Sequence, residues 1–203
     1  ESALAHWLYH DEIWLRGNAK AKAEILLAIA RVRHALVLFG GIVPRKATTH
    51  LRALLNDADA VLLAADTADE ALFRTEVVGA KLALTEWLVQ RGWRPFLNEA
   101  GEKKIAGSFK RFADIHLSRV AAELRSAVQH LAVEDAADQL PKLSRDIDSV
   151  QLLAGAYGDA VAPWLENWQE LQRAIEHDDR SVFEYFRRQA LAAEPFWLHS
   201  GKR

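Results

Sequence analysis

The stretch RVRHALVLFGG at residues 31–41 returns in outline as RDIDSVQLLAG at residues 145–155. A shift of 114 residues lays Arg31 on Arg145, Leu36 on Val150, Leu38 on Leu152, Phe39 on Leu153 and Gly41 on Gly155. Carried on without a gap, it pairs Leu51 with Leu165, Leu54 with Trp168 and Val61 with Ile175. Identities are few, but apolar positions, a glycine and an arginine keep one register. That pattern is expected of a duplicated helical unit.

Outward from these two stretches the apolar residues recur at three and four, the period of an amphipathic helix. Leu4, Trp7, Leu8, Trp14 and Leu15 give a first helix that stops at Gly17-Asn18, and a second runs from about Ala21 to Phe39 before Gly40-Gly41. Thr48 and Thr49 cap a third with the stripe Leu51, Leu54, Leu55, Ala58, Val61 and Leu62. Thr67 with Glu70 reads as a capping box for a fourth, reaching Gln90. A polar link from Gly101 to Gly107 follows, and Ser108 starts a fifth helix through Phe109, Phe112, Val120 and Leu124. A sixth spans about Leu140 to Ala154 and a seventh about Val161 to Ile175. Ser181 with Glu184 caps an eighth toward Ala193. The expected fold is therefore all-α: eight main helices in two antiparallel four-helix bundles, residues 1–98 and 103–203, related by internal duplication and a pseudo-twofold axis. The tryptophans Trp7, Trp14, Trp87, Trp164 and Trp168 lie on or beside the stripes and are expected in the core. Phe196-Trp197-Leu198 is expected to dock on the body or, by preference, on a neighbouring domain.

Composition excludes several classes of function. The chain has 203 residues, no cysteine and a formal charge of −2, so disulfides and thiolate chemistry are absent and any basic site has to be a local patch. Charges interrupt each apolar stretch well before the roughly 20 residues of a membrane span, and the first residues lack a secretory leader's basic lead and cleavage site. Cytoplasmic location is the default expectation. The chain opens at Glu1 without a methionine anywhere, and a segment of a longer protein is expected.

The second helix is apolar nearly all round and reads as central, yet it carries Arg31, Arg33 and His34. A guanidinium in such a setting needs a partner or an aqueous groove. No acid lies three or four residues from Arg31, which leaves Asp11, in the middle of the first helix's stripe, or an external anion. Arg145 has Asp148 one turn on. Further basic candidates are Arg45, Lys46, His50 and Arg52 around the start of the third helix, and Lys103, Lys104, Lys110, Arg111, Arg119 and Arg125 along the fifth. A solvated face competes with a binding face for all of these. His116 borders the fifth helix's stripe and is expected to be a satisfied core histidine.

Enzymatic signatures are sparse. His6 and His10 stand four apart on one helix face, a spacing that suits a metal, but no third ligand is evident and none is expected to be bound. His10-Asp11 and His177-Asp178 resemble pieces of HD-type metal phosphohydrolases without the rest of that pattern. Asn56, Asp57 and Asp59 read as a solvated acidic segment. Serine nucleophile elbows and phosphate-cradling glycine loops are absent.

The runs RVRHALVLFGGIVPRK (31–46), AKLALTEWLVQRGWRPF (80–96), FADIHLSRVAAELR (112–125), RDIDSVQLLAGAY (145–157) and WLENWQELQRAI (164–175), with the closing FWLHSGKR (196–203), resemble a CHAD domain, the conserved-histidine α-helical domain. The most specific piece of the likeness, taken with FWLHSGKR, is similar to the C-terminal half of enterobacterial CYTH–CHAD inorganic triphosphatases. It implies two four-helix bundles and a non-catalytic accessory role, with inorganic polyphosphate or another polyanion bound on a basic surface. It also implies an N-terminal CYTH catalytic domain in the same chain, using a divalent metal such as magnesium, whose Glu-x-Glu-x-Lys signature is not in this sequence. No cofactor is implied for these helices, and neither a membrane nor a specific nucleic acid is an expected partner. The family's basic array is thinned here: Ala23, Leu26 and Ala30 stand where a histidine and basic residues belong, and Gln139, Asp146 and Asp148 dilute the second copy. The expected polyanion-binding set is Arg31, Arg33, Arg45, Lys46, Arg52, Lys110, Arg111, Arg119 and Arg145, with no catalytic residue. A scaffold bracing the CYTH domain without an anion site, and an HD-like hydrolase, are the alternatives.

Overall fold

Every regular element among the described residues is helical, and no strand occurs there. The computed structural model describes residues 2–96 and 99–199, with side chains at 2–95 and 109–197. In chain order the helices are α1 (Ser2–Leu15), α2 (Ala21–Leu38), α3 (Thr49–Ala64), α4 (Ala68–Ala71), α5 (Thr75–Val89), α6 (Glu99–Val128), α7 (Ala136–Leu153), α8 (Ala162–Glu176), α9 (Arg180–Ala192) and α10 (Phe196–His199), with 3₁₀ turns in four of the connections. The chain divides into two compact units, Glu1–Lys104 and Ile105–Arg203. Among the described residues no helix is long and apolar enough to cross a membrane.

In the first unit α1 packs on α2, α2 on α3 and α3 on α5, and α1 also meets α5. Trp7, Ile25, Ile29, Leu55, Leu62 and Val77 are fully buried at the centre, each large side chain contributing about 1.5–3 kcal/mol by leaving water. The sequence stripes locate these faces: α3 buries Leu51, Leu55, Ala58 and Leu62 at steps of four, three and four. Helix α2 is less central than its composition suggests, because Leu27 and Val37 are exposed on its outer side. Lys22 of α2 donates to the carbonyls of Leu63 and Ala65 at 3.1 and 2.6 Å, satisfying the open C-terminal end of α3.

In the second unit α8 touches both α7 and α9, around the buried Leu143, Ile147, Leu153, Trp168, Leu171 and Phe183. Helix α6 is tied in by side chains: Arg187 of α9 donates to the carbonyls of Val128 and Gln129 at 3.2 and 2.7 Å, and Arg125 of α6 donates to that of Ala193 at 3.0 Å. Each arginine closes the other helix's C-terminus. Trp197 of α10 is buried, donates to Ser118 Oγ at 3.0 Å and packs edge-on to Trp164 with centroids 5.7 Å apart. Phe196 and Trp197 thus pack on their own unit; residues 200–203 lie outside the described ones.

Helix, two 3₁₀ turns, helix occurs in both units in one order. It runs Ala21–Leu38, Phe39–Gly41, Arg45–Ala47 and Thr49–Ala64 in the first, and Ala136–Leu153, Ala154–Ala156, Gly158–Val161 and Ala162–Glu176 in the second.

Four boundaries differ from expectation. The capping box of Thr67 and Glu70 is present, but it opens only the four-residue α4, and a new helix begins at Thr75. The segment from Gly101 to Gly107 continues α6, since its Glu, Lys and Ala residues favour helix and an internal glycine costs only about 1 kcal/mol. Helix α7 starts at Ala136 with Pro141 inside it, where the ring removes one backbone donor. Asp179, not Ser181, caps α9, accepting from Ser181 N at 3.2 Å and Ser181 Oγ at 2.6 Å. Glu184 turns instead to Arg187 and Arg188 at 2.7 and 3.0 Å.

Candidate functional site

Helix ends and acidic neighbours occupy three of the nine basic candidates, Arg33, Arg52 and Arg119. Arg33 of α2 pairs with Asp59 of α3 at 2.7 Å. Arg52 of α3 donates to the Leu36 carbonyl in the last turn of α2. Both side chains join α2 to α3. Arg31 is half-buried on the same helix. The acid considered for it is taken, because the buried Asp11 of α1 binds Lys81 of α5 at 2.6 Å. Burial pushes the Asp11 carboxyl above its ordinary range, and the Lys81 hydrogen bond and charge pull it back.

Arg45 and Lys46 are exposed in the turn before α3, and His50 is exposed in its first turn. Among the described residues no ion pair to any of the three is present. They form one basic edge of the first unit. Lys110, Arg111 and Arg119 are exposed along α6, and Arg145 is exposed on α7; the side chains of Lys103 and Lys104 lie outside the described ones.

In the second unit charges from two helices meet around one carboxylate. Asp146 of α7 is buried, and its Oδ2 has no hydrogen-bond partner. Burial raises its carboxyl above the ordinary value and Glu123 of α6 adds to the rise, while Arg145, Lys142 and Arg119 oppose it. Three cations from α6 and α7 therefore lie within electrostatic reach of Asp146, with Glu123 bound to Arg119 at 3.6 Å as the second acid. Lys142 is absent from the sequence-derived set and joins it through this grouping; its place one turn before Arg145 and Asp146 was the available signal. Guanidinium groups donate paired N–H bonds to phosphate or carboxylate oxygens in fork geometry, and an ammonium adds a point charge. Such a cluster can hold an anion and transfers no group by itself.

His116 of α6 is half-buried with its ring 4.1 Å from that of Phe112. Burial and Arg119 hold it below the usual imidazole range. Its Nδ1 is buried without a hydrogen-bond partner, so the polar satisfaction expected of a core histidine is missing. The two His-Asp dipeptides lead apart. Asp11 is held by Lys81, whereas His177 Nδ1 contacts the Arg173 carbonyl at 2.8 Å and Asp178 contacts Arg180 at 3.2 Å. On α1, His6 and His10 do share a face, and Glu24 of α2 comes to His6 at 3.0 Å, a neighbour the spacing within α1 had no means of showing.

The architecture places the chain among wholly helical domains built of two compact units. The family is specific: the model of the CHAD domain matches residues 1–188, and the chain belongs to the CHAD domain family.

Proposed function

We propose that this CHAD domain is a non-catalytic accessory domain that binds inorganic polyphosphate, or a polyanion of the same phosphate chemistry, on the α6 and α7 surface of its second unit. The observation that carries the reading is the grouping of Arg119, Lys142 and Arg145 around Asp146. A phosphate chain presents closely spaced oxygens, and cations from two helices can engage successive phosphates while displacing counterions. Lys110 and Arg111 of the same helix α6 extend the set as secondary contacts. Arg33 and Arg52 serve the α2 and α3 join. The proposal extends to the parent protein: an inorganic triphosphatase whose CYTH domain holds the catalytic residues and a divalent metal such as magnesium, located in the cytoplasm. In the same reading the two units are copies of one ancestral helical bundle, supported by their shared order of helix and 3₁₀ turns.

Replacing Arg119 and Arg145 by alanine tests this, since both side chains are exposed and their removal leaves the core intact. Affinity for long-chain polyphosphate is expected to fall about tenfold or more, with two fewer ion contacts in its salt dependence. Unchanged affinity in the double variant would reject the site.

A scaffold role is favoured by one separate feature. Leu4, Ala5, Leu8, Leu88 and Val89 line an open apolar groove between α1 and α5, with Leu8 and Val89 exposed, as at a surface that a partner domain covers. A parent that loses activity on deletion of this domain, while the isolated domain ignores polyphosphate, would support the scaffold over the anion site.

A further inference from the structure

We infer that His6, His10 and Glu24 form a divalent transition-metal site, of the zinc class, that staples α1 to α2. His6 and His10 are one turn apart on α1, the i, i+4 spacing at which two helical imidazoles address one ion. Their ring centroids are 4.3 Å apart with the planes tilted by 49°. Glu24, in the first turn of α2, completes a set of three ligand atoms that all lie within 4.8 Å of one another.

A plain hydrogen bond accounts for part of this grouping. His6 Nε2 and Glu24 Oε2 are 3.0 Å apart, which explains those two residues and leaves His10 out. The His10 ring is held between His6 and the edge of Tyr9, with centroids 5.1 Å apart, and its Nδ1 is buried without a hydrogen-bond partner. Binding a metal through either ring nitrogen would fix its tautomer and give the ring a function. Lys22, the closest basic residue of α2 in sequence, is committed to the α3 carbonyls and does not neutralise Glu24.

The donor set selects the ion. Two imidazoles and one carboxylate suit zinc and its neighbours, whereas magnesium and calcium take oxygen ligands. Tetrahedral zinc holds its donors roughly 3.3 Å apart, following from bonds of about 2.0–2.1 Å. Side-chain rotation closes the present spread, because His6 and Glu24 are one-third and two-fifths exposed, at 33% and 44%. The same exposure admits the ion and leaves its fourth position to water.

Zinc chloride titrated calorimetrically into the full chain is expected to bind one to one with Kd below about 10 μM. The melting temperature should rise by about 5–10 °C at a hundredfold excess over Kd. His10→Ala and Glu24→Gln should each weaken binding about tenfold or more, while His130→Ala, at an exposed position outside the cluster, should bind as the parent does. Metal-free melting curves of the variants confirm that they are folded, and Glu24→Gln keeps an acceptor for His6. Absence of zinc binding up to about 1 mM, or undiminished binding by His10→Ala, would overturn the site.

Discussion

Asp11 shows how one buried charge constrains its surroundings. It sits between Trp7 and Trp14 on the buried face of α1, and Lys81 reaches it from α5. Lys81→Met should destabilise the fold by about 3–5 kcal/mol, because it strands a buried carboxylate. Asp11→Leu combined with Lys81→Met should recover most of that loss; urea unfolding at neutral pH measures both. Asp146 makes the opposite case, with burial its largest influence and no hydrogen bond at Oδ2. Its folded-state pKa lies above the ordinary 3.8. The proton therefore favours the folded state: the stabilising contribution is complete below the unfolded value and is lost as pH rises through the folded one. Asp146→Asn should accordingly raise stability at pH 7, with the gain disappearing as pH falls below the unfolded-state value. Under the polyphosphate reading the same variant should bind several-fold tighter, since it removes a negative charge among three cations.

At the scale of elements, the helix faces were legible and several ends were not. Leu51, Leu55, Ala58 and Leu62 identify the buried face of α3 by spacing alone, and the Thr67–Glu70 capping box is where it was read. The sequence does not reveal that Lys22, Arg52, Arg125 and Arg187 close the C-termini of helices distant in the chain. Long-range caps carry no local pattern, so those cations look the same as binding candidates. The glycine-flanked run from Gly101 to Gly107 misled for another reason: weak helix breakers do not stop a helix whose other residues favour it. Gly92 is a place where glycine is needed, as a Cβ there would stand 2.3 Å from Trp87 Cδ1. Gly92→Ala should displace that indole from the Ala47 carbonyl it donates to at 2.9 Å and destabilise the chain by about 1–3 kcal/mol. For α10, Trp197→Ala should cost about 3–5 kcal/mol if its burial beside Trp164 and Ser118 supports the second unit; thermal unfolding would show a negligible loss if it does not.

For the whole molecule, a net charge of −2 leaves function to local arrangement. The helical fold class followed from periodicity, but the grouping of Arg119 with Lys142 and Arg145 joins residues of α6 and α7 that no sequence motif connects. The site was therefore half legible: Arg119 and Arg145 could be named, Lys142 was outside the set, and the structural duties of Arg33 and Arg52 were hidden. Titration of the chain with long-chain polyphosphate at about 50 and about 200 mM salt tests the central claim most directly. Three engaged cations predict an affinity about 20–40-fold weaker at the higher salt, and a shallower dependence in the Arg119→Ala, Arg145→Ala double variant. No binding, or binding indifferent to salt, would contradict it.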